Sequence, residues 1–307
     1  MTLTELKYIV AVAREKHFGR AAEACFVSQP TLSVAIKKLE EELDVKLFER
    51  GASEVSVTPL GEQIVRQAQQ VIEQAAAIKE IAKRGKDPVA GPLRVGIIYT
   101  IGPYLLPDLV RQAIERVPQM PLMLQENFTA RLLEMLRTGE LDCAIMAEPF
   151  PDTGLAVAPL YDEPFMAAVP TGHALAKRKS ITAEELKQET MLLLGTGHCF
   201  RDHVLEVCPE YARFASDAEG IRKSFEGSSL ETIKYMVASG MGVTVVPQLS
   251  VPKDLQPHIR YVKFSAPAPT RRVVLAWRRT FPRYEAVAAL RNCIYACELP
   301  GVKRLTA

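Results

Sequence analysis

The stretch that opens at Thr58-Pro59 and runs without proline to Arg84 constrains this chain most. A capping Thr followed by Pro at the first helical position is a helix start, and Gly61 falls within the first turn. Ile64, Val71, Ala75, Ile78 and Ala82 recur at spacings of 7, 4, 3 and 4, the pattern of a coiled-coil seam. At 1.5 Å per residue the helix reaches on the order of 39 Å. A polar helix with one narrow apolar stripe needs a partner, either its own chain or a second copy. Gly85, Asp87-Pro88 and Gly91-Pro92 then mark a hinge. The helix divides 307 residues into a short region before it and a long one after it.

The short region reads as helices. Leu6, Ile9, Val10 and Ala13 lie on one helical face, and a second short helix runs from Phe18 to Cys25. Ser28 is an N-cap with Pro30 in the first turn, and Leu32, Ile36, Leu39 and Leu43 line one face of a third helix. Val45 to Phe48 and Val55 to Thr58 read as two short strands around a wing at Arg50-Gly51-Ala52-Ser53. Helix, tight turn, helix and wing place the third helix in a DNA major groove. Ser28, Gln29, Pro30, Thr31, Ser33, Lys37 and Arg50 are the candidate contacts to bases and phosphates. Eight basic against nine acidic side chains between Met1 and Thr58 give no basic footprint. Affinity for DNA must then lean on a dimer and on helix N-termini facing phosphates.

After the hinge, strands alternate with helices. Strands are read at 93–98, 121–126, 141–147, 165–169, 243–246 and 272–277, and helices at 103–116, 130–138, 230–238 and 283–299. This is α/β with a largely parallel sheet. Ligands in such sheets bind outside the strand C-termini, where Thr100 and Thr129 stand at corresponding places. The two hydroxyls either face one small polar ligand or cap the helices that follow.

A second signature is Gly197-His198-Cys199-Phe200-Arg201-Asp202 with Cys208 nine residues on. Phe200, Val204 and Val207 suggest a short helix that Pro209 stops. At its N-terminus and near Arg201, Cys199 is expected to favour thiolate, the form that reacts with peroxide. Were the segment helical, the two Cα atoms would be roughly 13 Å apart. A disulfide needs ~4.4–6.8 Å, so a bridge requires remodelling. Zinc binding and two inert buried thiols are the alternatives, although zinc pairs usually stand closer together. Cys25 and Cys143 lie in apolar runs, and Cys293 and Cys297 join Leu290 and Ile294 on a packed face. The six cysteines form no dense framework, and no apolar run is long enough for a leader or a spanning helix. A cytoplasmic protein with reduced thiols, no membrane contact and no metal follows. The net charge of +2 adds no strong field.

Phe18-Gly19-Arg20-Ala21-Ala22, Ser28-Gln29-Pro30-Thr31-Leu32-Ser33, Leu39-Glu40-Glu41-Glu42-Leu43, Leu47-Phe48-Glu49-Arg50 and Thr58-Pro59-Leu60-Gly61 together resemble the LysR-type transcriptional regulators. Ser53 stands where such proteins often carry a basic residue. The resemblance covers the whole chain. It implies an α+β multidomain protein: a winged helix-turn-helix at 1–58, a linker helix and hinge at 59–88, and a two-lobed α/β regulatory domain at 89–307, like periplasmic binding proteins. Lobe I would take about 89–162 and 268–307, and lobe II about 163–267. The cysteine signature resembles the family's peroxide-sensing members. That implies oxidation of Cys199 by hydrogen peroxide to a sulfenic acid and its resolution by Cys208. It further implies a peroxide pocket with Thr100, Thr129, His198, Asp202 and Arg272. The implied partners are double-stranded operator DNA, RNA polymerase and further copies of the chain, as a dimer or homotetramer, with no cofactor and no enzymatic activity. The alternatives are a regulator answering to a small organic metabolite and a thiol peroxidase.

Overall fold

The computed structural model describes residues 1–50, 55–83, 89–151, 154–209, 224–227, 229–254 and 256–305. Thr2 and Glu5 close a capping box at the start of α1 (Leu3–Glu15). The His17 ring accepts from the backbone of Gly19 and Arg20 to start α2 (Phe18–Ala24). Ser28 accepts from the Thr31 N–H and starts α3 (Gln29–Leu43). These caps satisfy donors that a helix leaves unpaired, so three short helices form where the sequence places them. Ile9, Val12, Leu32, Ile36, Leu39 and Leu47 close a shared core.

The first wing strand differs from the sequence expectation. It begins at Phe48 rather than Val45, because the Glu40 carboxylate takes the N–H groups of Leu47 and Phe48. Those donors are then unavailable to a ladder. Strands β1 (Phe48–Arg50) and β2 (Val55–Val57) pair antiparallel. The wing tip 51–54, with Gly51, Ala52 and Ser53, lies outside the described residues, as does the Arg50 side chain.

Helix α4 (Pro59–Lys83) follows with its start at Thr58, whose hydroxyl accepts from the Gly61 N–H. Gly61 is required there: a Cβ would sit 2.3 Å from the Leu47 carbonyl oxygen. The apolar stripe divides rather than forming one seam. Ile64, Val65, Ala68 and Ile72 pack on the core of α1–α3, whereas Val71 and Ile78 stay exposed. Gly85, Asp87 and Pro88 of the hinge, and the Ala82 side chain, lie outside the described residues.

Beyond the hinge come β3 (Leu93–Ile98), α5 (Gly102–Arg116), β4 (Leu122–Asn127), α6 (Thr129–Arg137) and β5 (Cys143–Glu148). The three strands are parallel, with β3 between the others. The next strand, β6 (Leu155–Pro170), is 16 residues long. Leu155, Leu160 and Tyr161 enter one apolar core, while Phe165, Ala167 and Val169 enter a second. One strand therefore serves two lobes. The second contains β7 (Ser180–Ile181), β8 (Met191–Leu194), α7 (Cys199–Val207), β9 (Ser224–Gly227), α8 (Leu230–Ala238), β10 (Thr244–Pro247) and β11 (Ile259–Phe264). Strand β12 (Thr270–Arg278) returns beside β6 and β5, followed by α9 (Tyr284–Ala296) and β13 (Lys303–Arg304).

The sheet is mixed, which corrects the largely parallel reading. Strands β10, β11, β12 and β13 all meet β6 antiparallel, and β12 also meets β5 antiparallel. Returning strands, rather than crossover helices, carry the chain between lobes. Cys143, Cys293 and Cys297 are buried in the first-lobe core, and Cys25 packs at the edge of the helical core. No helix among the described residues is long and apolar enough to cross a membrane.

Candidate functional site

Ile98 and Asn127 are register partners at the ends of β3 and β4, so Thr100 and Thr129 stand at equivalent places beyond one sheet edge. From the second lobe, α7 presents Cys199 to the same spot. Ile98, Tyr99, Thr100, Asn127, Phe128, Thr129, Gly197, His198 and Cys199 line a cavity of about 10 Å³. About 10–15 Å³ on this scale holds a single water, so without side-chain movement the space beside Cys199 suits only a very small polar molecule.

Neither threonine caps its helix. The N-cap positions are Ile101 and Phe128, and neither makes a side-chain capping bond. The Thr100 hydroxyl accepts from Arg271 Nη1 at 2.8 Å, and Arg271 Nη2 donates to the Thr100 carbonyl at 2.9 Å. Thr129 Oγ1 is buried with no hydrogen-bond partner of its own and favours the Cys199 thiolate. His198 is buried at the head of α7, in edge contacts with Tyr99 and Phe128 at 5.8 and 4.9 Å between centroids. The three rings wall the cavity.

Two site expectations are corrected. Arg272 does not reach the pocket. It is exposed and paired with Asp162 at 2.8 and 3.1 Å. Its neighbour Arg271 points inward, because successive side chains on a strand alternate faces and Arg271 shares the face of buried Val273. The Arg271 guanidinium lies over the Phe200 ring, 5.1 Å to its centroid, and donates to Glu163 at 2.9 Å.

The second correction concerns the thiol. Burial pushes Cys199 above the usual thiol range and outweighs the Thr129 hydroxyl and the Arg271 charge, which act the other way. Arg201, expected to be the helpful cation, is buried with its Nη1 donating to the Leu194 carbonyl at 2.8 Å. Asp202 sits in the first turn of α7, exposed, and disfavours the thiolate. Cys208 ends α7 as its C-cap and is fully buried in the second-lobe core. Neither is in a disulfide. With helix between them, the Cα separation is roughly 13 Å. Sequence reasoning missed Arg271, Glu163, Tyr99 and Phe128. For Arg271 the signal was its even spacing from Val273 and Leu275.

At the other end of the chain, Gln29, Pro30, Thr31 and Lys37 are exposed along α3, and Ser33 is half-buried. Ser28 caps the helix and is likewise exposed. Phe26 and Val34 are also exposed, at 94% and 68%, an apolar addition to a face read as polar.

Residues 3–62 match the bacterial regulatory helix-turn-helix protein, lysR family, and residues 86–296 match the LysR substrate binding domain. The DNA-binding transcriptional dual regulator OxyR of Escherichia coli K12 is 38% identical over 292 residues, covering 94% of each chain. A hydrogen peroxide-inducible genes activator of Haemophilus influenzae is 38% identical over 307 residues, 99% of this chain and 100% of its own. A full-length OxyR variant from Pseudomonas aeruginosa superposes with a TM-score of 0.84 at 50% identity, covering 100% of this chain and 98% of that one. A hydrogen-peroxide-bound OxyR mutant from Corynebacterium glutamicum gives 0.64 at 33% identity, covering 96% and 92%. The chain belongs to the LysR-type transcriptional regulators, within the OxyR group of hydrogen peroxide-inducible genes activators.

Proposed function

We propose that hydrogen peroxide is the effector, that Cys199 is the atom it oxidises, and that Cys208 completes the switch. The observation that carries this reading is the cavity of about 10 Å³ in which the Cys199 sulfur meets the buried Thr129 hydroxyl and the Arg271-bound Thr100. That is far below the ~300–1,000 Å³ of pockets that take organic ligands. A larger cavity, about 460 Å³ beside Glu231, Lys234, Tyr235 and His258, holds none of the sulfur chemistry.

The Cys199 thiolate attacks one peroxide oxygen, the O–O bond breaks, and hydroxide leaves and takes a proton to become water. Sulfur is oxidised to sulfenic acid while peroxide is reduced. The Cys208 thiolate then attacks that sulfur; the S–S bond forms, the S–O bond breaks, and hydroxide leaves, taking up the proton released by the Cys208 thiol to become a second water. Cys208 must leave its core and α7 must unwind to close roughly 13 Å to bonding range. Remodelling α7 removes Cys199 from the sheet edge that Thr100 and Thr129 form, which makes the bridge a conformational signal.

The output is transcriptional. Region 1–58 binds double-stranded operator DNA through Ser28, Gln29, Pro30, Thr31, Ser33, Lys37 and Arg50. Region 59–88 links it to the sensing region 89–307, with lobe I at about 89–162 and 268–307 and lobe II at about 163–267. Val71 and Ile78, seven residues apart and exposed on α4, offer an apolar edge to a second copy in a dimer or tetramer. The protein acts in the cytoplasm, with RNA polymerase as its further partner. Mass-spectrometric mapping of disulfides before and after peroxide tests the reading: a 199–208 bridge is expected, and unmodified Cys199 after full exposure overturns it.

A further inference from the structure

Resting on that peroxide reading, we infer that Glu163 is a positioning residue for sensing: through Arg271 it fixes the Thr100 hydroxyl as a committed donor into the cavity.

Glu163 and Arg271 are register partners on adjacent antiparallel strands, β6 and β12. Their side chains are 0% and 1% exposed, so the pair is withdrawn from water. Glu163 Oε2 accepts from Arg271 Nε at 2.9 Å, while Oε1 accepts from the Leu249 backbone N–H at 2.8 Å. The carboxylate is thus held at both oxygens. The guanidinium it anchors is rigid and planar, so fixing one edge fixes the other. That other edge grips Thr100 through both its hydroxyl and its carbonyl.

The consequence lies in the hydroxyl's single proton. A threonine oxygen accepts through lone pairs and donates one O–H. With a guanidinium N–H donating to it, the oxygen is an acceptor on that side. Its proton must then point elsewhere, and the cavity lies beside it. A donor fixed beforehand is what the departing hydroxide needs when the O–O bond breaks. Glu163 also balances the Arg271 charge. Were the carboxylate lost, the guanidinium would be an unbalanced buried cation near the Cys199 sulfur, whose other charged neighbour is Asp202. The thiolate would gain while the oriented donor would be lost. The two effects have opposite signs, which separates this role from a merely structural one.

The test uses the full-length reduced chain and compares E163Q with the unaltered protein. The second-order rate of Cys199 oxidation by hydrogen peroxide is measured beside the rate of Cys199 alkylation by iodoacetamide across pH. Dividing the two at one pH cancels the thiolate fraction. We expect that ratio to fall about ten- to a hundredfold, less than the ~10²–10³ of an outright lost transition-state donor because the Thr100 hydroxyl remains, while the alkylation midpoint moves to lower pH. An unchanged ratio overturns the inference, as does a ratio that falls with the midpoint unmoved. If E163Q does not fold, E163D decides. It keeps the charge but shortens the arm, so a lower ratio with an unmoved midpoint supports the role and an unchanged ratio overturns it. Should Cys199 of the unaltered chain resist peroxide, the peroxide reading fails instead.

Discussion

Strand β12 carries two buried arginines, Arg271 and Arg278, and the partners they choose separate the sensing end of the molecule from the output end. Seven residues at ~3.3 Å each put them about 23 Å apart. Arg271 closes a circuit within the regulatory region, between Glu163 and Thr100. Arg278 pairs instead with Glu73, which α4 brings from the DNA-binding half, and donates to the carbonyls of Leu136 and Leu141. Thr280 and Gln69 also donate to Glu73. Helix α6 runs between the two ends. Thr129, its first residue, meets the sulfur, and its last turn lies beside Arg278 and α4. The same ion-pair chemistry thus holds Thr100 beside Cys199 at one end and ties α4 to the regulatory region at the other. Burying such a pair adds little net stability, yet breaking one leaves an uncompensated charge.

The change that should break the comparison most completely is C199S. A hydroxyl is not an appreciable nucleophile at neutral pH, so the sensing end goes silent. Peroxide should then produce no transcriptional response, while affinity for operator DNA in the reduced state is retained. A C199S chain that still responds to peroxide would remove the sulfur from its role.

At the output end, E73A strands Arg278 in the interior. Unfolding free energy by denaturant titration should fall by about 3–5 kcal/mol. The rate at which peroxide oxidises Cys199 should stay as it was, because Arg271 and Thr100 are untouched. Loss of the operator response with oxidation intact is the expected signature of a broken connection. Slowed oxidation would show that the two ends are not separable.

The sequence made the helical end legible because its signals are local. Ser28, Pro30 and the Leu32–Ile36–Leu39 spacing lie within one helix, and α3 formed where they said. Helix α8 likewise runs from Leu230 to Ala238 as its pattern predicts. Strand β6 was read only from Phe165 to Val169. Asp162, Glu163 and Pro164 resemble a break, and what keeps Glu163 inside a strand is an arginine 108 residues away. Choosing Arg272 over Arg271 failed for a related reason. Parity along β12 decides the face, and a strand read from Arg272 onward leaves Arg271 outside it, although β12 begins at Thr270. The raised Cys199 thiol was also beyond local reading, since a helix N-terminus and a nearby Arg are visible in sequence but packing against the first-lobe core is not.

A smaller and sharper effect is expected for T100V, which tests the Arg271 end directly. Valine keeps nearly the volume and removes the hydroxyl. Cys199 oxidation by peroxide should slow about ten- to a hundredfold, ~1.4–2.8 kcal/mol of barrier. Alkylation, which needs thiolate but no donor for a leaving hydroxide, should change far less. Equal losses with both reagents would mean that Thr100 acts on the thiolate itself. A melting-temperature measurement reports the separate cost of leaving Arg271 Nη1 without its acceptor, about 1–3 kcal/mol.

The mildest perturbation is pH, and its sign distinguishes the sensing thiol from a conventionally activated one. Burial raises Cys199, so near neutrality the thiol predominates and the reactive thiolate is the minor form. Below the raised pKa, each pH unit should increase the peroxide and alkylation rates about tenfold, 1.36 kcal/mol per unit. The rise should continue through the range where an ordinary thiol levels off, ~8.5. The core thiol Cys297, pushed up to about 12 by burial first and the Asp108 charge next, should remain unreactive throughout. The same shift has a stability counterpart. The folded chain holds the Cys199 proton where the unfolded chain has begun to release it, so stability should fall as pH rises past the unfolded thiol's pKa. A rate profile already flat at pH 7 would mean that Thr129, Arg271 and the α7 terminus together overcome burial. The sensing end would then work by standing activation of the thiolate, and the peroxide preference would rest on it rather than on the donor held by Arg271.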